Sequence, residues 1–280
     1  SKNLDESIPI ASRIRNCICF WIPFCYIFSD KYKKQFSVKF NASDFGNESV
    51  LSMDSENDEY LIPDEYAMAE FLNLKKNEFV MTSVEDFSRD WETRKSIIFW
   101  RGSTTGVKGD MSSINELINL ERVRKCIYFR NYDCTDIKIS KIIQTSFDIN
   151  QAKEVLSELD ILSDYVHEDT FRNYKYFPDL PGNSQAWGTL LRHLDGNLVF
   201  RAQSRRKLLY YRYMQPWIHY IPIASDFSNL IARYSWAESN KKQAALISWR
   251  GYLVAYKYLK SLPSLFMEAV SRHLTVIDET

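Results

Sequence analysis

The chain has 280 residues, 36 Lys+Arg against 36 Asp+Glu, and a hydrophobic fraction of 45%. That length accommodates two domains of ordinary size, and only 8 glycines and 8 prolines exclude a low-complexity or disordered chain. A formal charge of +0 excludes a molecule-wide field for nucleic acid or anionic lipid, so any anion site must be local.

The five cysteines (Cys17, Cys19, Cys25, Cys126, Cys134) supply neither paired C-x-x-C motifs nor a companion His pair, which predicts reduced thiols in a cytoplasmic protein. Three of them lie in the apolar run 17–28 (CICFWIPFCYIF), flanked by Arg13 and Arg15 before it and Lys31, Lys33 and Lys34 after it. A bilayer crossing needs about 20 apolar residues, so this run is too short, and no small-residue cleavage site follows it. Packing inside the protein is the expectation; peripheral contact with a membrane surface is the weaker alternative.

Residues 36–45 alternate Phe36, Val38 and Phe40 with polar neighbours, as a strand does, and Asp44 falls at its end. A short strand is expected at 49–53, then a solvated acidic loop at 54–59, then a helix at 64–77. Ser83 with Asp86 three residues on reads as a helix start. The apolar strand 96–100 runs into Arg101-Gly102-Ser103-Thr104-Thr105-Gly106, and a second domain is expected to begin near residue 93. A helix is expected from 112 or 113 to 123, with apolar segments at 126–129 and 136–143. Strands are expected at 174–180, 197–202 and 217–223, and helices at 184–194, 204–213, 226–236, 239–258 and 263–274. This alternation predicts an α/β fold with a parallel sheet covered by helices.

In such a sheet, ligands bind beyond the carboxyl ends of the strands. Two segments suit a pyrophosphate there. One is Arg101-Gly102-Ser103-Thr104-Thr105-Gly106, with a fixed cation, hydroxyls and glycines; the other is Pro181-Gly182-Asn183-Ser184-Gln185-Ala186-Trp187-Gly188, opening a helix. Each alone is equally an ordinary turn sequence.

Taken in order, Ser43-Asp44-Phe45, Val50-Leu51-Ser52, Tyr60-Leu61-Ile62-Pro63, Trp91 to Lys95, Phe99-Trp100-Arg101-Gly102-Ser103, Tyr174-Lys175-Tyr176 and Gly182-Asn183 form a series. It continues through Gly196-Asn197-Leu198-Val199-Phe200 and Gln215-Pro216-Trp217-Ile218-His219-Tyr220-Ile221-Pro222-Ile223 to Asp226-Phe227-Ser228-Asn229-Leu230. Over about residues 36 to 258 the series resembles glycosyltransferase family 90, the family of protein O-glucosyltransferases, capsule-associated transferases and bacterial lipopolysaccharide glycosyltransferases.

The resemblance implies a GT-B-like pair of Rossmann-type domains facing a central cleft. Residues 1–92 would form the acceptor side, 93–258 the donor domain, and 259–280 a C-terminal helix able to pack back on the first domain. It implies inverting transfer of glucose, galactose or xylose from a UDP-sugar to a hydroxyl of a glycan or lipopolysaccharide acceptor, at the cytoplasmic side of the inner membrane. No cofactor and no metal are implied, and the sequence has no Asp-x-Asp. Asp44 matches the family's general base, with Asp54, Asp64 and Asp86 as competing carboxylates. Arg101, Gly102, Ser103, Thr104, Thr105, Gly182, Asn183, Ser184, Ala186, Trp187 and Arg201 match or neighbour the donor site. The chain departs from animal members at Gly188, where they resemble one another in carrying an arginine; the Arg205-Arg206-Lys207 run or Arg201 is a substitute charge, and a solvated helix face is the alternative for that run. A non-catalytic glycan-binding module is one competing function. The other is a module gripping single-stranded nucleic acid through 201–213, with its arginines and tyrosines, and zero net charge and the ordered family segments count against a nucleic-acid partner.

Overall fold

The structure is a computed structural model and describes residues 30, 36–41, 49–74, 83–186, 188–273 and 275–276. In chain order the first elements are β1 (Phe36–Ser37), β2 (Phe40–Asn41), β3 (Leu51–Ser52) and α1 (Glu65–Leu74). Next come α2 (Val84–Thr93), β4 (Lys95–Ser103), α3 (Ile114–Asn119), α4 (Glu121–Phe129), β5 (Thr135–Lys141) and α5 (Ile149–Glu158). The chain continues with β6 (Tyr174–Pro178), α6 (Thr189–Leu194), β7 (Leu198–Ala202), β8 (Ile221–Ile223), α7 (Leu230–Ser239), α8 (Lys241–Arg272) and β9 (Thr275–Val276).

These elements fall into two compact units, one of residues 1–80, 205–213 and 255–280, the other of 81–204 and 214–254. The boundary expected at 92/93 lies earlier, because α2 buries Phe87 and Trp91 in the second unit's core. The segment 205–213, expected inside the donor domain, belongs to the first unit, as does everything from 255 onward.

In the first unit β2 pairs parallel with β3, and β1 pairs antiparallel with β9. The acidic loop is solvated as expected only at Glu56, Asn57 and Glu59. Asp54 is fully buried and accepts from Arg206 Nε at 2.5 Å, while Lys207 Nζ reaches Asp58 Oδ1 at 3.2 Å. Ser55 and Lys207 exchange backbone hydrogen bonds of 3.2 and 2.9 Å, so 204–213 is not the expected helix but a bridge followed by a 3₁₀ turn at Leu209–Tyr213. The helices expected at 239–258 and 263–274 are one continuous α8, with Pro263 inside it and Leu259, Leu262, Phe266 and Ala269 buried around it. Proline removes one helical donor and crowds the preceding turn, and buried apolar area on both sides offsets that cost.

The second unit is built on one all-parallel sheet in the order β5-β4-β6-β7-β8, the doubly wound arrangement whose strand order reverses between β4 and β6. The inner strands β6 and β7 are almost wholly buried, as packing on both faces requires, while the edge strand β5 (TDIKISK) alternates and buries only Ile137 and Ile139. Tyr176 on β6 packs edge-on against Trp91 and Tyr234 at ring separations of 5.8 and 5.2 Å. Ser83 caps α2 as expected, its Oγ accepting from Asp86 N–H at 3.1 Å. The helix expected from 112 breaks at Leu120, and the apolar segment 126–129 is the end of α4, which buries Val123, Cys126 and Phe129. Helix α5 has no counterpart in the sequence reading, since it buries only Ala152 and Leu156. The last strand is shorter than expected because Trp217, at φ 65°, turns the chain before Ile221.

Candidate functional site

Strands β4 and β6 share a ladder only as far as Ile98↔Tyr176, while β4 continues to Ser103. Beyond that point the strands part. Pro178, lacking an N–H, ends β6, and Asp179 N–H turns to Phe200 O on β7 at 2.8 Å. Against β5 the pairing slips by one residue between Gly102 and Ser103, and Ser103 still pairs with Lys141. The crevice so opened lies at the switch point, beyond the carboxyl ends of the strands, where a doubly wound sheet holds its ligand.

The two loops at this crevice are bound to one another. Gly106 N–H donates to Asn183 Oδ1 at 2.8 Å. Arg122, in the first turn of α4, donates from Nε to Pro181 O at 2.9 Å and from Nη2 to Leu180 O at 2.9 Å, and from Nη1 to Thr105 Oγ1 at 2.6 Å and Ser103 O at 3.2 Å. Its guanidinium lies 5.3 Å from the centre of the Trp100 ring. A Cβ on Gly182 would stand 2.5 Å from Thr105 Oγ1 and 3.0 Å from the Arg122 carbon, so the close approach of the loops requires glycine there. At Gly102 a Cβ would run into the Trp100 ring. Both glycines of the sequence reading are thus explained by packing.

Other sequence-derived candidates are placed differently. Strand alternation puts Arg101 on the face opposite Trp100 and Gly102. Its guanidinium pairs with Asp136 at 2.8 Å and donates to Trp100 O and Asp136 O at 2.9 Å each, so the cation at the loops is Arg122, which the sequence reading missed. Thr104 is buried, its hydroxyl donating to Ile143 O and accepting from Ile143 N–H, both at 2.8 Å. That hydroxyl is committed to the loop after β5. Ser184 O accepts from Gly182 N–H at 3.0 Å, and Ala186 O accepts from Thr189 N–H at 3.0 Å. Arg201 is buried 3.7 Å from Asp179 Oδ2, and Asp179 Oδ1 accepts from Thr189 Oγ1 at 2.7 Å. Burial, with Arg201 and His219 adding to it, pushes the neighbouring His193 down to about 3, so this imidazole stays neutral. Asp44 and Trp187 lie outside the described residues. Gly188 faces open space: a Cβ there would have no atom within 4 Å.

In the Arg205-Arg206-Lys207 run, Arg206 and Lys207 pair with Asp54 and Asp58 within the first unit, and Arg205 is exposed. The same pairing, with Arg201, Tyr210 and Tyr211 buried, withdraws part of the charge and ring surface that a nucleic-acid grip would need, while Arg205, Arg212 and Tyr213 stay exposed. Among the described residues no helix is long and apolar enough to cross a membrane.

Fold and site together define an α/β protein of the doubly wound class with a braced crevice at its switch point. The model of Glycosyl transferase family 90 matches residues 53–262, and the chain belongs to that family. It is similar to Protein O-glucosyltransferase 1 of Bos taurus, 26% identical over 174 residues that make up 61% of this chain and 39% of that protein. It is also similar to Protein O-glucosyltransferase 2 of Danio rerio, 32% identical over 89 residues, which are 32% of this chain and 18% of that one. The chain therefore spans less than half the length of these curated relatives. Among solved structures, Anabaena Alr3699/HepE in complex with UDP-glucose aligns at 9% identity with a TM-score of 0.43, covering 68% of this chain and 54% of that one, a likeness too loose to carry an argument.

Proposed function

We propose that this protein is a glycosyltransferase that transfers a hexosyl or pentosyl group from a UDP-sugar to an acceptor hydroxyl. The observation that supports it is the pair of glycine-containing loops at the switch point, braced by Arg122 within the family-matched residues. In this reading the diphosphate rests over the loops after β4 and β6, near the first turn of α4, where helix N-terminus and guanidinium both favour negative charge. Inversion at the anomeric carbon is what the family resemblance implies, and independence of metal is implied by it together with the lack of Asp-x-Asp. Asp44 takes the acceptor proton, and Arg201 with Asp179 stiffens the donor side from below. The departure from animal members at Gly188 supports a glycan or lipopolysaccharide acceptor over a protein one.

Calorimetric titration with UDP, followed by transfer assays with and without chelator, tests this. UDP should bind, and turnover should survive chelation. Asp44→Asn should keep UDP affinity while turnover falls by about 10²–10⁴-fold, the usual contribution of a positioned base. A folded protein that binds no UDP would overturn the donor reading, and near-normal turnover in Asp44→Asn would remove Asp44 from the base role.

A further inference from the structure

Arg122 and Lys125 are three residues apart on α4, which places them on one helical face. Arg122 holds the loops after β4 and β6, as described above. Lys125 Nζ donates to Asp226 O in the loop after β8 and lies 5.1 Å from the centre of the Phe227 ring. That third loop is tightly wound. Phe227 is buried at φ 65°, a conformation that costs a non-glycine residue free energy and persists only when its surroundings hold it. Phe227 N–H donates to Ala224 O, Ser228 N–H to Asp226 Oδ1, and Ala224 N–H to Asn229 Oδ1, at 2.9, 3.0 and 2.9 Å. One face of α4 therefore touches three of the loops that follow the sheet's strands.

We propose that Arg122 and Lys125 are positioning residues that join the loops after β4, β6 and β8 into one surface for the diphosphate of a nucleotide donor. The inference rests on the donor-site reading given under the proposed function. The guanidinium carbon lies 5.3 Å from the centre of the Trp100 ring and close to Gly182, and its nitrogens donate to carbonyls and a hydroxyl on both loops. Its hydrogen bonds thus go to the protein, and it acts on a ligand through loop geometry and field. An ammonium cannot replace it, since a single point donor does not span acceptors on two loops.

The experiment measures amide hydrogen exchange without nucleotide, and UDP affinity, in the wild type, Arg122→Ala, Arg122→Lys and Lys125→Met. Arg122→Lys should fold, exchange faster at Thr105, Gly106 and Gly182, and bind UDP about tenfold or more weakly. Lys125→Met should speed exchange only within 224–230. Millimolar guanidinium should slow loop exchange in Arg122→Ala and restore part of its UDP affinity, with no effect on the wild type. Weaker UDP binding with unchanged exchange would overturn positioning in favour of direct contact, and exchange and affinity both unchanged would leave no role. If Arg122→Ala does not fold, Arg122→Lys decides. If the wild type binds no UDP, the donor reading fails while loop exchange still decides whether the brace exists.

Discussion

Asp64 separates a structural carboxylate from a catalytic one. It is fully buried at the start of α1, where Oδ1 accepts from Ala67 N–H at 3.0 Å, and Oδ2 meets no donor among the described residues. Burial raises its pKa from 3.8 to about 6, against the lowering effect of the cap hydrogen bonds. The folded state therefore holds this proton more tightly than the unfolded state. Stability from Asp64 is full below pH of about 4, falls as pH rises, and is lost above about 6. At about 1.4 kcal/mol per pKa unit the loss is about 3 kcal/mol at pH 7.5 and about half of that at pH 5. Asp64→Asn keeps the cap acceptor and removes the charge. Its stability relative to wild type should therefore rise between pH 5 and pH 7.5, read as the change in urea midpoint at fixed slope. A parallel pH dependence of the two proteins would refute the reasoning. Abolished transfer in a stable Asp64→Asn would mean that the competing carboxylate, not Asp44, is the base.

Gly182→Ala places a methyl group against Thr105 Oγ1 and Arg122, an overpacking that costs about 1–3 kcal/mol. Thermal melting should drop by a few degrees, and calorimetry should show weakened UDP binding; unchanged UDP affinity would place the donor elsewhere. Asp54→Asn leaves Arg206 half-exposed without its carboxylate and should cost about 1–3 kcal/mol in urea unfolding, so this variant is unsuitable as a silent control. Unaltered stability would mean that the ion pair contributes nothing to the first unit.

The parallel sheet was legible because its inner strands are apolar runs ended by small residues, as in Ile97-Ile98-Phe99-Trp100 before Gly102. What escaped was set by partners distant in sequence. Asp54 reads as solvated from its acidic neighbours, yet it is buried and bound to Arg206, 152 positions away. Likewise the run 204–213 has helical spacing, yet its backbone pairs with Ser55. The pattern predicts separate helices at 239–258 and 263–274, and one helix continues through Pro263 with buried residues around it. Local pattern gives an element's propensity; pairing with remote segments decides these three cases.

The site was legible in its loops and not in its cation. Thr105, Gly182 and Asn183 lie in loops, where small side chains suit a close approach of two backbones, whereas Gly102 is still inside β4, which runs three residues beyond the expected end at Trp100. Arg101 is next to them in sequence, yet a strand's alternation turns it to the far face, where Asp136 holds it. The usable signal was the period of two itself: if Trp100 packs on Gly102, Arg101 cannot share their face. Arg122 follows from the opposite rule, that a helix running back from a strand end places its first turn beside the loops. This also bears on Gly188. Its surroundings would admit a side chain, so packing does not dictate the absence of an arginine there. Under the proposed reading, Arg122 is the cation beside both loops in a chain that lacks the animal members' arginine at 188.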